Sequence, residues 1–494
     1  MGSLDGMITG FQTAFSIEGI LFVMIGVLVG TFIGMLPGLG PISAIAVMIP
    51  ITFGMEPTTA LIMMAGVYYG AIFGGSTSSI LLNAPGVAGT VATAFDGYPM
   101  AQQGKAGKAL AIAAIASFTG GTVSVILLML LAPALSSVAI SFGPPAYFGL
   151  MVLGLTAISS LSEGSTIKAL ISAVVGFMVV TIGIDAQTGT QRFTFGNINL
   201  LEGLDFLVIA LGLFALAEVC NLILNRKDLS LKDFHNIGSL KLTKADFNEM
   251  KGPMSRQSII GFIIGVLPGA GATIASFIAY ITEKKIAKNP EEFGKGSIKG
   301  LAAPETANNA ATSGAFVPLL SLGIPGSGTT AVLLGAFLVL GVQPGPLLMV
   351  DRPEIFWGII ASMYLGNVFL LVLNLPLIPY IAKVLQIPRP LLISLVIMFS
   401  IIGVYAISFN TFDLYMLLLF GVIGFLMRLF AFPAPPLILA FILGGMLEQS
   451  YRQSMTISNG DPMIFVNNPI SLSLLIVALL SFVFPFLRLR KKKR

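Results

Sequence analysis

The feature that most constrains this chain is a Gly-Pro phrase that occurs twice within apolar sequence. Gly34-Met35-Leu36-Pro37-Gly38-Leu39-Gly40 recurs as Gly265-Val266-Leu267-Pro268-Gly269-Ala270-Gly271. Further along, Ala84-Pro85-Gly86-Val87-Ala88-Gly89-Thr90 recurs, one residue shorter, as Ile324-Pro325-Gly326-Ser327-Gly328-Thr329. A helix breaker in an apolar span is costly, because the freed backbone groups find no water in lipid. Such breaks are tolerated where they line a cavity or pack against protein. Matched broken spans in two halves of a chain are a pointer to a transporter's binding site.

The surrounding sequence is that of a polytopic membrane protein. Mean hydropathy is +0.94 and 10% of residues are charged, against about 25% in a soluble domain. Apolar stretches recur at 20–35, 58–80, 109–131, 148–158, 167–184 and 206–224. In the second half they recur at 259–281, 329–342, 355–381, 391–407, 414–430, 436–446 and 472–487. Spans of about 20 residues then number roughly ten to thirteen, with re-entrant hairpins blurring the count.

Charge patterning gives an expected orientation. The tail Arg488-Leu489-Arg490-Lys491-Lys492-Lys493-Arg494 abuts an apolar span. By the positive-inside rule it is expected in the cytoplasm, and it is not read as a nucleic-acid arm. The long polar stretch, residues 226–256, reads as a cytoplasmic linker between a first repeat, 1–225, and a second, 257–494. The first copy of the phrase is entered without positive charge, the second from this basic linker. The halves are therefore expected to start on opposite sides, as inverted-topology repeats do. The N-terminus lacks the basic n-region of a leader and shares the repeat, so it reads as the first membrane segment.

Several chemistries are excluded by count. Cys220 is the sole cysteine and His235 the sole histidine. An intrachain disulfide and an HExxH zinc site are ruled out within one chain, and a Ser-His-Asp triad is not expected because the single His235 sits in a polar loop. The stretch 323–330 mimics a P-loop, but Thr329 stands where its lysine belongs, and Gly269-Ala270-Gly271 lacks the rest of a dinucleotide fingerprint. No enzyme is expected.

The motifs suggest ligand contacts instead. Gly38, Gly40, Gly269 and Gly271 permit close backbone approach, and Gly86 and Gly326 serve the second phrase alike. The helix restarting after each break offers its N-terminal N–H groups to an anion. Ser76, Thr77, Ser78, Asn83 and Thr90 in the first half are candidate contacts to a carboxylate or to Na⁺. Asn308, Asn309, Ser313, Ser327 and Thr329 are their counterparts in the second. Any single Ser or Thr could simply bond back to its own helix. Glu305 is left with two readings: a cation ligand, proton site or partner of Lys299 at membrane depth, or a cap on a helix starting at Thr306. Asp96 reads as a turn residue at the membrane surface. No Lys or Arg lies within these motifs, so the only expected cofactor is bound Na⁺.

The phrases at 34–41, 76–90, 303–309 and 323–329 resemble the large membrane subunit of tripartite tricarboxylate transporters, the TctA family. The resemblance covers nearly the whole chain. It implies a bacterial inner-membrane, multi-pass permease, partnered by a small membrane subunit and a periplasmic substrate-binding protein. It also implies an organic-acid substrate such as citrate and an ion gradient as the driving force. The expected fold is an all-α polytopic membrane protein of two inverted-topology repeats with broken helices and re-entrant hairpins, working as an elevator-like secondary transporter. A stand-alone ion-coupled carboxylate permease is the alternative. A homo-oligomer is left open.

Overall fold

The computed structural model describes residues 3–36, 39–160, 165–185, 188–224, 237–269, 271–383 and 389–491. It is mostly helical, about 80%. The first half contains α1 Ser3–Ala14, α2 Ile17–Met35, α3 Gly40–Met48, α4 Pro57–Leu82, α5 Val91–Met100, α6 Ala106–Ala139, α7 Pro144–Ser160 and α8 Thr166–Val180. A short antiparallel pair follows, β1 Gly183–Ile184 with β2 Gln191–Arg192, Gly183 opposite Arg192. Next come α9 Phe206–Ala210 and α10 Ala217–Leu224, joined by a π-helical stretch. The second half contains α11 Lys244–Val266, α12 Gly271–Ile286, α13 Ile298–Gly314, α14 Phe316–Leu322, α15 Gly328–Val339, α16 Leu348–Asp351 and α17 Pro353–Asn374. It closes with α18 Ile378–Ile381, α19 Arg389–Ser408, α20 Thr411–Leu429, α21 Pro435–Ile457, α22 Ile464–Asn467 and α23 Pro469–Lys491.

Among the described residues, six helices are long and apolar enough to cross a membrane, and six shorter apolar helices accompany them. The stretch 259–281 is not one span: α11 stops at Val266 and α12 starts at Gly271. Helix α11 itself begins at Lys244, inside the segment read as a linker, under a capping box between Thr243 and Asp246. Much of the polar stretch is thus the first turns of a long helix. Residues 225–236 lie outside the described residues.

Where they are described, the two copies of the phrase fold alike. Leu36 (φ −79°, ψ 114°) and Leu267 (φ −76°, ψ 119°) end their helices in extended backbone. Their N–H groups donate to Ile33 and Ile264. Gly40 and Gly271 then restart a helix at φ 58° and 61°, a left-handed conformation that favours glycine. The packing matches too. A Cβ on Gly30 or Gly34 of α2 would overlap the carbonyls of Val67 or Ala71 on α4. A Cβ on Gly261 or Gly265 of α11 would likewise overlap Ala307 or Ala311 on α13. Small residues let each pair of backbones touch.

Lys108, at the start of α6, pairs at 2.7 Å with Asp246, at the start of α11. Helix α17 runs antiparallel to α6, with Tyr364 beside Met129 and Asn374 near Leu110 and Ser117. Its N-terminal part, at the far end, packs Trp357 against Gly6 and Gly10 of α1, just ahead of α2.

Candidate functional site

The breaks meet in a closed ring. Gly40 lies against the Gly86 carbonyl, 3.8 Å from where its Cβ would stand. Ile42 of α3 lies against Gly328 at the start of α15. Gly269 N–H donates to Gly326 O at 2.9 Å, and Gly271 faces Ser327. Ala272 of α12 lies against Gly89, which closes the circuit. Three helices, α3, α12 and α15, start on this ring, and α5 starts beside it after the turn Ala88–Thr90. Pro41 has no N–H to offer, and Ser327 and Thr330 cap one another at the start of α15, but the other first N–H groups lack intrahelical partners and carry partial positive charge, so the ring suits an anion without a cationic side chain.

Two side chains reach the ring from the opposite half. Asn308 is fully buried on α13, and a Cβ on Gly89 would come within 2.7 Å of its Oδ1. Neither Asn308 Oδ1 nor Nδ2 has a hydrogen-bond partner among the described residues. A buried amide left unpaired costs about 1–3 kcal/mol per group, so a ligand that engages it is favoured. Tyr68 on α4 sets its hydroxyl 3.4 Å from Ser327 Oγ, with Thr312 and Thr329 facing the same phenol. Tyr69 bonds Ser313. The tyrosines were not among the sequence candidates. If Ala71 is matched to Ala311, the Tyr68-Tyr69 pair falls on Asn308-Asn309, a repeat signal that the Gly-Pro phrases alone do not carry.

The other candidates divide. Gly38 lies outside the described residues. Gly86 packs on the Gly34 carbonyl. Ser78 donates to Gly75 O at 3.1 Å, and Thr90 donates to Val87 O and accepts from Ser79, so these hydroxyls tie the first hairpin to itself. Asn83 is an exposed left-handed cap on α4 (φ 51°). Ser327 caps α15 in a box with Thr330. Asn309 Nδ2 donates to Glu305 O at 3.0 Å, while its Oδ1 is unpartnered among the described residues.

Glu305 does not cap a helix. Helix α13 starts at Ile298, capped by Ser297, so Glu305 sits mid-helix and fully buried. Its carboxylate accepts from Ser76 at 2.9 and 2.8 Å, from Ser117 at 2.7 Å and from Thr93. It forms no ion pair with Lys299 among the described residues. Asp96 is not a surface turn residue either. It is buried within α5, and its Oδ1 accepts the N–H groups of Gly294, Gly296 and Ser297 at 2.9, 2.8 and 2.7 Å. It thereby fixes the loop that starts α13. Thr93 and Ser117 were not among the sequence candidates, since neither lies beside a Gly-Pro break. Among the described residues, no group of three or more His, Cys, Asp or Glu could hold a metal ion.

Fold and site together define a multi-pass helical membrane protein whose polar centre is assembled from broken helices. The chain belongs to the tripartite tricarboxylate transporter TctA family, whose model matches residues 20–439. Two relatives from Agrobacterium vitis are similar. The "Uncharacterized 52.8 kDa protein in TAR-I ttuC' 3'region" is 47% identical over 494 residues, covering 100% of this chain and 98% of the relative. The "Uncharacterized protein in TAR-II ttuC' 3'region" is 47% identical over 235 residues, covering 47% of this chain and 97% of the relative. No solved structure matches. Family membership makes transport the function class, within an assembly that has a small membrane subunit and a binding protein.

Proposed function

We propose that the chain is the inner-membrane permease of a secondary transporter that imports a tricarboxylate or related organic acid, delivered by a periplasmic binding protein and driven by a Na⁺ gradient. The ring of broken helices carries this reading. It offers helix N-termini, the unpartnered Asn308 amide and hydroxyls to a carboxylate, and no basic side chain that would hold the anion too tightly to release. The two glycine-packed pairs, α2 with α4 and α11 with α13, are inverted repeats in this reading. Their hairpins move as an elevator against the remaining helices. The C-terminus is cytoplasmic.

The test is uptake of labelled citrate by proteoliposomes holding this chain and its small membrane partner, with binding protein and inward Na⁺ gradient each added or withheld. Uptake that needs both supports the proposal. Uptake that needs Na⁺ alone identifies a stand-alone permease. Uptake driven only by a proton gradient rejects Na⁺ coupling. Asn308→Ala is expected to lower uptake on the order of tenfold at unchanged membrane abundance, the effect of losing one good ligand hydrogen bond. Normal uptake by that variant would remove Asn308 from the site.

A further inference from the structure

One buried polar cluster stands apart from the ring. Between α4, α6 and α17 lies a cavity of about 10 Å³ lined by Phe73, Ser76, Thr77, Leu110, Ser117 and Asn374, among others. That is space for about one water-sized sphere. Three of the lining side chains point to a ligand. Ser76 and Ser117 donate their hydroxyl protons to Glu305 at 2.7–2.9 Å, which leaves their oxygen lone pairs available. Asn374 is 4% exposed, and its Nδ2 donates to Leu370 O at 3.0 Å. Its Oδ1, an acceptor only, has no partner among the described residues.

The charge balance decides what such a site takes. Glu305 is fully buried, and no Lys, Arg or His pairs with it among the described residues. An isolated buried carboxylate is expensive unless a positive charge or a proton compensates it. A water in the cavity would satisfy Asn374 but leave that charge standing. A small monovalent cation does both, because hydroxyl and amide oxygens are hard ligands and the carboxylate lies one hydroxyl away.

We propose that this cavity is a Na⁺ site, with Ser76, Thr77, Ser117 and Asn374 as the ligand-bearing residues and Glu305 as the counter-charge. The site is separate from the anion ring but coupled to it: Glu305 and Asn308 share α13, one turn apart, and Ser76 follows Tyr68 on α4 by two turns. The role in transport rests on the ion-driven reading above; the binding itself does not.

The test is equilibrium binding of radioactive sodium to the purified full-length chain in detergent, without substrate or partners, at ionic strength held constant with choline chloride. Wild type is expected to bind saturably, one ion per chain. Glu305→Gln and Asn374→Ala are each expected to weaken binding on the order of tenfold or more, with both variants still monodisperse. Ser137→Ala, on the exposed end of α6, should bind as wild type. Should Glu305→Gln fail to fold, Asn374→Ala, which leaves the Glu305 hydrogen bonds intact, decides. Absence of saturable binding by wild type, or unchanged binding in Asn374→Ala, overturns the site. Loss in Glu305→Gln alone also overturns it, because the carboxylate would then act without the cavity. A failure to carry citrate would leave this binding result standing, so the two proposals fail separately.

Discussion

At the scale of single residues, the buried carboxylates Asp96 and Asp246 act very differently. Asp96 is a brace: one oxygen collects three backbone N–H groups and sets the start of α13. Asp96→Ala strands those donors at a cost of about 1–3 kcal/mol per buried group. The melting temperature in detergent is expected to fall by several degrees, and an unchanged value would show that the loop has another anchor. Asp246 makes a pH prediction. Desolvation raises its carboxyl, but hydrogen bonds from the Lys108 ammonium and the Thr243 backbone N–H outweigh that and hold it below the usual carboxylate range. A lowered native value contributes stability that is present above the unfolded-state value and lost as pH falls through the native one. Wild type should therefore melt above Asp246→Asn at neutral pH, and the difference should begin to shrink near about pH 4 and vanish only below the lowered native value. A constant difference through that range would show that the charge is not the source.

At the scale of elements, the contact of α2 with α4 and that of α11 with α13 are made by glycines whose Cβ would land on a facing carbonyl. Gly34→Val and Gly265→Val should therefore cripple the protein equally, forcing apart backbones that have no room for a side chain. The measurement is yield of monodisperse protein after solubilisation. Gly40, whose imagined Cβ has only Gly86 O near it at 3.8 Å, is a different case: Gly40→Ala pays for left-handed φ rather than for a clash. It should be recovered in good yield, where Gly34→Val is not. Equal recovery of all three would contradict this packing. Helix breaks were legible in the sequence because Pro and Gly act locally. The start of α11 at Lys244 was not, because charged residues that suit a solvated helix and those that suit a loop are alike in composition.

At the scale of the molecule, the prediction is orientation. Exposed Gln103 lies at the end of the bundle with Lys108 and Asp246, bonded to the carbonyl of Lys295. Exposed Asn459 lies at the other end, beyond Arg452, which pairs with Asp185 and Glu448. In a Cys220→Ser background, a cysteine at Asn459 should react with an impermeant maleimide added outside intact cells. A cysteine at Gln103 should react only after permeabilisation. The opposite pattern would reverse the proposed topology, and labelling of both from outside would deny that the bundle spans the membrane this way.

Apolar runs and repeated Gly-Pro breaks determined that this chain is a helical membrane protein with interrupted helices, since hydrophobicity, Pro and Gly act over a few residues. Which polar groups meet was decided only by tertiary structure. Asn308 and Asn309 stand next to each other in sequence, yet one, beside Gly89, has no hydrogen-bond partner among the described residues while the other bonds back to Glu305 O. Glu305 could be read as a cap or a buried charge until α13 was seen to start at Ile298 and to be enclosed by α4, α5 and α6. Sequence specifies where a helix must break; the depth of a charge and the company of a hydroxyl depend on which helices pack around it.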